Sequence, residues 1–556
     1  MKILSLVLRL SLLLAVLAAL SAAASAQRRA DPRFGLVGAW QAPEEAAALG
    51  TAWEIIEFRW DELQPGGPGD WNTGPATGDY LAQAAGAGRE IVGVLVGTPA
   101  WATDGAPGSG IPRGLYDPPD SLTNTWATFV RQAVSYGAVR GVNRWAIWQG
   151  QDAPPTAPGA TWDGSVMDYY RLVKVAHEVA REANPHAIIH LGTLEGADPA
   201  WLDAFLDIVV EDSSAAPNGY YFDAVMVRST FSPYALHTQL ERALLEMHMH
   251  GITLKEVWGI AGVRPALDPL AYTEDTTFSR YPNITPEQQA AYIVQAHALA
   301  FAADRGVRIG VYRLVDDFEA DSGEGFGLLR ADGSPRPAHS AYRLVLDEFS
   351  GLTSARRLDD THPHVEAVRL AFPDRLTTVA WARTSQTSTL LVPARSRQAT
   401  LVGLDGSRRT VQPEDGYYAL VLEGAACDDP QAGCLIGGMP WLLVEEGARE
   451  PGRRRGPDPT VEPGGEPLPL GPIAWPTHTP PPPTLMPTTE PAPTVTAVPT
   501  EAAALVETPP AETVAVQAAA ISEPVVAEPP GWLRPALIAL GAAVIAGAAA
   551  VAIRRR

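Results

Sequence analysis

Apolar and polar positions along this chain follow two alternating rhythms. Between residues 33 and 315, short apolar runs recur: RFGLVGA (33–39), WEIIEF (53–58), EIVGVLVG (90–97), RWAIW (144–148), AIIHLG (187–192), FDAVMV (222–227), LKEVWGI (254–260) and VRIGVYRLV (307–315). Their length and their Val, Ile, Phe and Trp content suit strands buried on both faces. Amphipathic stretches separate them. SLTNTWATFVRQAVSYG carries Leu122, Trp126, Phe129, Val130 and Ala133 on one helical stripe. TPEQQAAYIVQAHALAFAADRG opens on a capping box, Thr285 to Gln288, with Pro286 at the first helical position and Gly306 near its end.

Strand and helix alternating in this way predict a (β/α)8 TIM barrel over residues 30–350, with any site at the C-terminal ends of its strands. A doubly wound open sheet is the alternative fold, but no strand runs into a G-x-G-x-x-G phosphate loop. After Ser350 the rhythm changes. TTVAWAR, STLLVPA, QATLVGL, GYYALVLEG and PWLLVEE are β-type runs split by turns, which predicts a small antiparallel β-sandwich over residues 351–449.

The two ends read as targeting and anchoring segments. Residues 1–26 combine Lys2 and Arg9, the apolar LSLLLAVLAAL and an ASA cleavage site ending at Ala26, the pattern of a secretory signal peptide. Residues 450–530 are rich in Pro, Thr, Ala and Glu without apolar periodicity, as in a semi-rigid disordered stalk. Residues 532–553 are apolar over about a bilayer's thickness. Arginines at 554–556 would hold that tail in the cytoplasm. The expectation is an extracytoplasmic protein, membrane-anchored by a single C-terminal transmembrane helix.

Composition narrows the partners. A formal charge of -21 argues against a nucleic-acid surface. The 15 tryptophans suit stacking on pyranose rings as well as a plain core. Cys427 and Cys434 stand close enough for a local disulfide in an oxidising compartment, and further Cys or His metal ligands are lacking beside them. EMHMHG puts His248 and His250 on different faces of a helix end, so neither metal nor cofactor is expected. G-x-S-x-G, H-E-x-x-H and Walker motifs do not occur.

Four stretches point to one family. WDELQPGGPGDWN is similar to a W-x-x-I-x-P loop after strand two, and GVLVGTPAWAT to a Thr-Pro-x-Trp turn after strand three. WAIWQGQDAP, followed by TWDGSVMDYYRLVKVAHEVAREANPHAII, resembles a strand-four acid/base motif with its downstream helix. FGLLRADGSPRPAHSAY is similar to the strand-eight tail. Together they resemble glycoside hydrolases of clan A, the xylosidase-like, cellulase-like TIM barrels of family 39 especially. The resemblance implies a general acid/base Glu at the end of strand four and a nucleophilic Glu at the end of strand seven. A retaining glycosidase needs such a pair about 5 Å apart. Aligned residue by residue, Ile147 and Trp148 match, Gln149 takes an Asn position, and Gly150 falls where the acid/base belongs. In KEVWGIAGVRP, Trp258 and Pro265 match while Ala261 falls where the nucleophile belongs, and Arg228 replaces a frequent His of strand six.

Glycine and alanine cannot transfer a proton or attack carbon. The expectation is therefore a degenerate glycosidase-like pseudoenzyme that binds polysaccharide or cell-surface glycan, or serves as a surface module. An active glycosidase with relocated carboxylates, Asp152 and Glu195, is one alternative, and a protein-binding scaffold of unknown partner is another. The expected sugar-binding residues are Trp40, Trp101, Trp148, Gln149, Trp162, Arg228, Trp258 and Tyr312. Glu57, Asp61, Glu319 and Asp321 read as solvated rim, and Glu256 as lying away from the site.

Overall fold

The computed structural model describes residues 30–156, 160–196, 198–253, 255–265, 284–317, 325–358, 364–427 and 434–450. The expected signal peptide, stalk and membrane span lie outside these residues, as do Glu319 and Asp321. Among the described residues no helix is long and apolar enough to cross a membrane.

Eight parallel strands close a barrel: β1 (Phe34–Val37), β2 (Trp53–Arg59), β3 (Glu90–Val96), β4 (Arg144–Gln149), β5 (Ile188–Thr193), β6 (Ala224–Ser229), β7 (Glu256–Ala261) and β8 (Arg308–Val311). The last pairs back onto the first through Gly310 opposite Gly35. Each strand is buried along nearly its whole length, because helices cover its outer face and side chains fill its inner one. β6 and β7 begin two residues later than the apolar runs suggest, and β8 is shorter than its run.

The N-terminal end of the barrel is sealed by a paired-charge plug. Arg144 bonds Glu90 (2.7 Å) and Glu256 (3.1 Å), and Arg308 bonds Glu90 (2.6 Å). Both guanidiniums lie over the ring of Trp258, at 5.2 and 4.7 Å. Trp53 and His190 close on the same ring from other sides, at 4.5 and 4.8 Å. The buried Arg144 guanidinium is tolerable there because the partly exposed Glu90 and Glu256 carboxylates pair with it. Glu256 therefore belongs to the closed end.

The helix Pro286–Ala303 starts with the expected capping box, Thr285 and Gln288 bonding each other's backbone N–H. The helix Thr125–Ala138 takes Asn124 as its N-cap.

The second part is a sandwich of two unequal antiparallel sheets. Six strands run in the order β14 (Arg408–Val411), β13 (Ala399–Val402), β16 (Trp441–Glu446), β11 (Arg375–Ala382), β10 (Val365–Ala371) and β9 (Ser354–Arg357). A two-stranded sheet, β12 (Ser388–Pro393) with β15 (Tyr417–Leu422), packs Val392, Tyr418, Leu420 and Leu422 against Ala380, Leu401 and Leu443. Cys427 and Cys434 form the expected disulfide beside it. Trp381 donates from Nε1 to the Tyr234 hydroxyl (2.8 Å), and Gln295 bonds the backbone of Gly437 and Gly438. These bonds fix the sandwich against the barrel helices.

Candidate functional site at the barrel mouth

The C-terminal ends of the strands surround an open cleft of about 1090 Å³. Its floor and walls include Trp40 and Gln41 after β1, Glu57 and Arg59 on β2, Gln149 on β4, Arg228 on β6, and Tyr312 and Arg313 after β8. A cleft of this size holds several sugar rings or a comparably large polar ligand.

The end of β4 decides what the cleft can do. Trp148 takes a left-handed backbone (φ 73°), as does Gly150 (φ 65°). Such a conformation is uncommon for a non-glycine residue and is held here by packing. Trp148 is fully buried, its ring against Trp126 and Trp162 and its Nε1 donating to the Thr161 carbonyl (2.7 Å). Gln149 points the other way, into the cleft, where its Nε2 donates to Glu57 Oε1 (2.9 Å).

Gly150 carries no side chain into the cleft, and no β-carbon fits there easily. One placed on it would lie 3.2 Å from Thr161 Oγ1 and 3.3 Å from Glu195 Oε1. At the end of β7, Ala261 is buried, and its carbonyl accepts the Tyr312 N–H (2.8 Å). Neither strand end presents a carboxylate.

Among the described residues, the carboxylates that line the cleft are held by guanidiniums. Arg59 contacts Glu57 (3.8 Å) and Glu62 (2.9 Å), and also Asp61 (2.8 Å). Arg313 bonds Asp317 (2.8 Å), and Gln41 bridges that pair. Arg336 grips Asp316 with two bonds of 2.7 Å, both side chains fully buried. Burial pushes the Glu62 carboxyl above the ordinary range, Asp61 and Glu57 add to the effect, and Arg59 opposes it. Glu62 sits on the one-turn helix Trp60–Leu63 at the rim, largely exposed. The guanidiniums stay charged and hold these carboxylate oxygens in fixed directions as hydrogen-bond acceptors.

The structure separates the expected site residues into three groups. Trp40, Gln149, Arg228 and Tyr312 line the cleft, with the Arg228 guanidinium 5.2 Å from the Tyr312 ring centre. Trp148, Trp162 and Trp258 do not. Trp162 is buried between Trp148 and Tyr169, and Trp258 belongs to the plug at the opposite end of the barrel. Trp101 stays partly buried beside Trp60, its Nε1 donating to the Gln64 carbonyl (2.6 Å), outside the cleft lining.

The proposed substitute carboxylates are likewise committed elsewhere. Asp152 is buried, and both its oxygens accept the Glu195 N–H, at 3.0 and 3.1 Å. It lines a separate small apolar cavity of about 130 Å³ with Trp201 and Leu202. Glu195 reaches toward the β4 end but is ion-paired with Arg228. Glu57, expected as solvated rim, shares the cleft-facing side of β2 with Ile55, two residues before it, and lines the cleft while staying partly exposed.

The sequence matches no family model and no curated protein. Solved structures do match in fold. A family 39 glycoside hydrolase from the gut symbiont Bacteroides cellulosilyticus WH2 superposes with a TM-score of 0.53 at 16% identity, over 75% of this chain and 81% of that one. A family 30 endoxylanase from Clostridium papyrosolvens C71 gives 0.47 at 13% identity, over 75% and 97%. A monomeric β-xylosidase from Caulobacter crescentus CB15 gives 0.45 at 15%, over 76% and 98%. The fold is thus shared with that family 39 glycoside hydrolase, at an identity that speaks for architecture alone.

Proposed function

We propose that this chain is a glycoside-hydrolase-like carbohydrate-binding protein that has lost retaining hydrolysis and acts outside the cytoplasm, held to a membrane by its C-terminal tail. One observation carries the reading. The two strand ends where this architecture resembles a retaining enzyme hold Gly150 and Ala261, while the cleft between them stays open and lined by Trp40 and Tyr312.

Aromatic faces with fixed carboxylate–guanidinium pairs around them are what neutral sugars require. The rings cover the apolar C–H faces, and the planar charged groups bond vicinal hydroxyls. Hydrolysis by relocated carboxylates loses support, because Asp152 lies outside the cleft and Glu195 is bound to Arg228. The signal-like residues 1–26 and the apolar residues 532–553 support the extracytoplasmic, anchored part of the proposal.

The test is binding of the detergent-solubilised full-length protein to an array of plant, fungal and bacterial glycans, with Trp40→Ala beside it. Saturable binding to one glycan class, lost in the variant, supports the reading. Binding to none of them rejects carbohydrate recognition.

A further inference from the structure

The rim of the barrel carries a second recess. It has a volume of about 470 Å³ and lies between the long connection after β3, residues 97–124, and the loop after β4. That volume falls within the range of about 300–1,000 Å³ common among small-ligand sites. Both connections leave the C-terminal ends of their strands, so the recess lies at the same end of the barrel as the cleft.

The sequence GAPGSGIPRG explains its shape. Gly105, Gly110 and Gly114 form part of the lining, where bare backbone stands in place of side chains. Gly114 is left-handed (φ 66°), and a β-carbon on it would lie 2.0 Å from the Thr123 carbonyl oxygen. The loop is tied to itself. The Gly108 N–H donates to the Thr98 carbonyl (2.7 Å) and the Arg113 N–H to the Ala102 carbonyl (2.7 Å). Thr103 Oγ1 donates to the Ile111 carbonyl (2.8 Å) and accepts from the Gly105 N–H (2.9 Å). A recess already fixed in shape loses little entropy when it fills.

Tyr116 marks the recess as more than a gap between loops. Its side chain lines it and is 59% exposed, yet the hydroxyl donates to Asp168 Oδ1 (2.7 Å). Asp168 is itself fixed in the capping box of the helix Val166–Ala183, so the ring is anchored at both ends. Asp104 and Asp163, also in the lining, each place one oxygen on a neighbour, Arg113 (2.7 Å) and Ser109 (2.8 Å). Among the described residues, the second oxygen of each is left to accept a hydroxyl. An immobile aromatic face with acceptors near it suits a sugar ring.

The recess also borders the cleft. Asp61 Oδ2 accepts from Arg59 of the cleft (2.8 Å) and lies 4.0 Å from the β-carbon position of Gly108 in the recess loop. On the other side the Asp163 N–H donates to the Ser109 carbonyl (3.0 Å), which joins that loop to the one after β4.

We infer that the Tyr116 recess is a second sugar-binding site, which takes a distal stretch of the same polysaccharide whose nearer residues fill the cleft. The identity of the ligand rests on the carbohydrate reading of the cleft, and the place of the site on the recess itself. A chain held at both sites gains affinity through the high effective concentration of its second segment, so long chains are preferred to short ones.

The experiment titrates the detergent-solubilised full-length protein with linear xylo- and gluco-oligosaccharides, from disaccharide to decasaccharide, and co-sediments it with insoluble xylan and cellulose. The expected result is an affinity that rises by about tenfold or more from the shortest binder to the longest. Tyr116→Ala removes that rise and leaves the shortest binder unchanged, while Tyr116→Phe keeps the ring and keeps the rise. Tyr116 is exposed, so neither variant should lower the Tm appreciably. Affinity independent of length, or a loss in Tyr116→Ala that is absent or equal at every length, overturns the inference. Sedimentation that depends on Tyr116 but not on Trp40 upholds the recess and rejects the cleft reading. Dependence on Trp40 alone does the reverse, and binding to none of the probes rejects both.

Discussion

Glu195 Oε1 stands 3.3 Å from the point where a β-carbon on Gly150 would lie. A carboxylate thus stands beside Gly150 at the end of β4, reaching in from just past β5 and paired with Arg228 on β6.

Gly150→Glu should therefore not create a hydrolase. The left-handed backbone costs a non-glycine residue about 1–2 kcal/mol, and the new carboxylate would meet Glu195. A lower Tm with unchanged, null hydrolysis of xylo- and gluco-oligosaccharides is the expected outcome. Measurable turnover would show that the frame still supports chemistry.

Two tryptophans should separate stability from binding. Trp258→Ala removes the centre of the barrel plug and should cost about 3–5 kcal/mol in denaturant unfolding, with any binding loss following the loss of folded protein. Trp40→Ala should leave unfolding nearly unchanged and weaken glycan binding by about tenfold or more. The reverse assignment would place the ligand elsewhere.

Acidification should destabilise the fold from about pH 6.5 downward. Burial holds His297 and His177 down to about 4, and His190 lies well below its ordinary value, first through burial and then through Arg144 and Arg308. The folded protein keeps these rings neutral while the unfolded chain protonates them near pH 6.5. Their stabilising contribution is complete above that pH and is lost as pH falls toward the folded values. Each contributes up to about 1.4 kcal/mol per pH unit across that window. Unfolding midpoints between pH 7.5 and 5 check this, and a flat profile would contradict it.

Glu195→Gln should change stability by at most about 1 kcal/mol, because its pair with Arg228 is partly solvent-exposed. Glycan binding should persist within a few-fold. Loss of all binding would make the pair part of the recognition surface instead of its support.

Much of the fold was legible because buried parallel strands write continuous apolar runs, and all eight runs meet a barrel strand. The misses have physical causes. β9, SARR, and β14, RRTV, are polar edge strands whose identity comes from backbone pairing, and β10, VEAVRLA, carries charges within a buried strand. Trp258 was expected at the mouth, but β7 begins at Glu256, which puts the ring in the barrel's lower half. The strand ends were legible from Gly150 and Ala261. The glutamine hydrogen bonds across the mouth were not, since they join Glu57 to Gln149 and Gln41 to Arg313 across 92 and 272 residues.

The central claim is recognition without turnover. Its most direct measurement follows one glycan that the full-length protein binds, held at saturation for days while released reducing ends are counted against a protein-free control. Equal counts in both are expected, with the glycan recovered intact. Release above the control that vanishes on competition with a non-cleavable analogue would contradict it and return the cleft to catalysis.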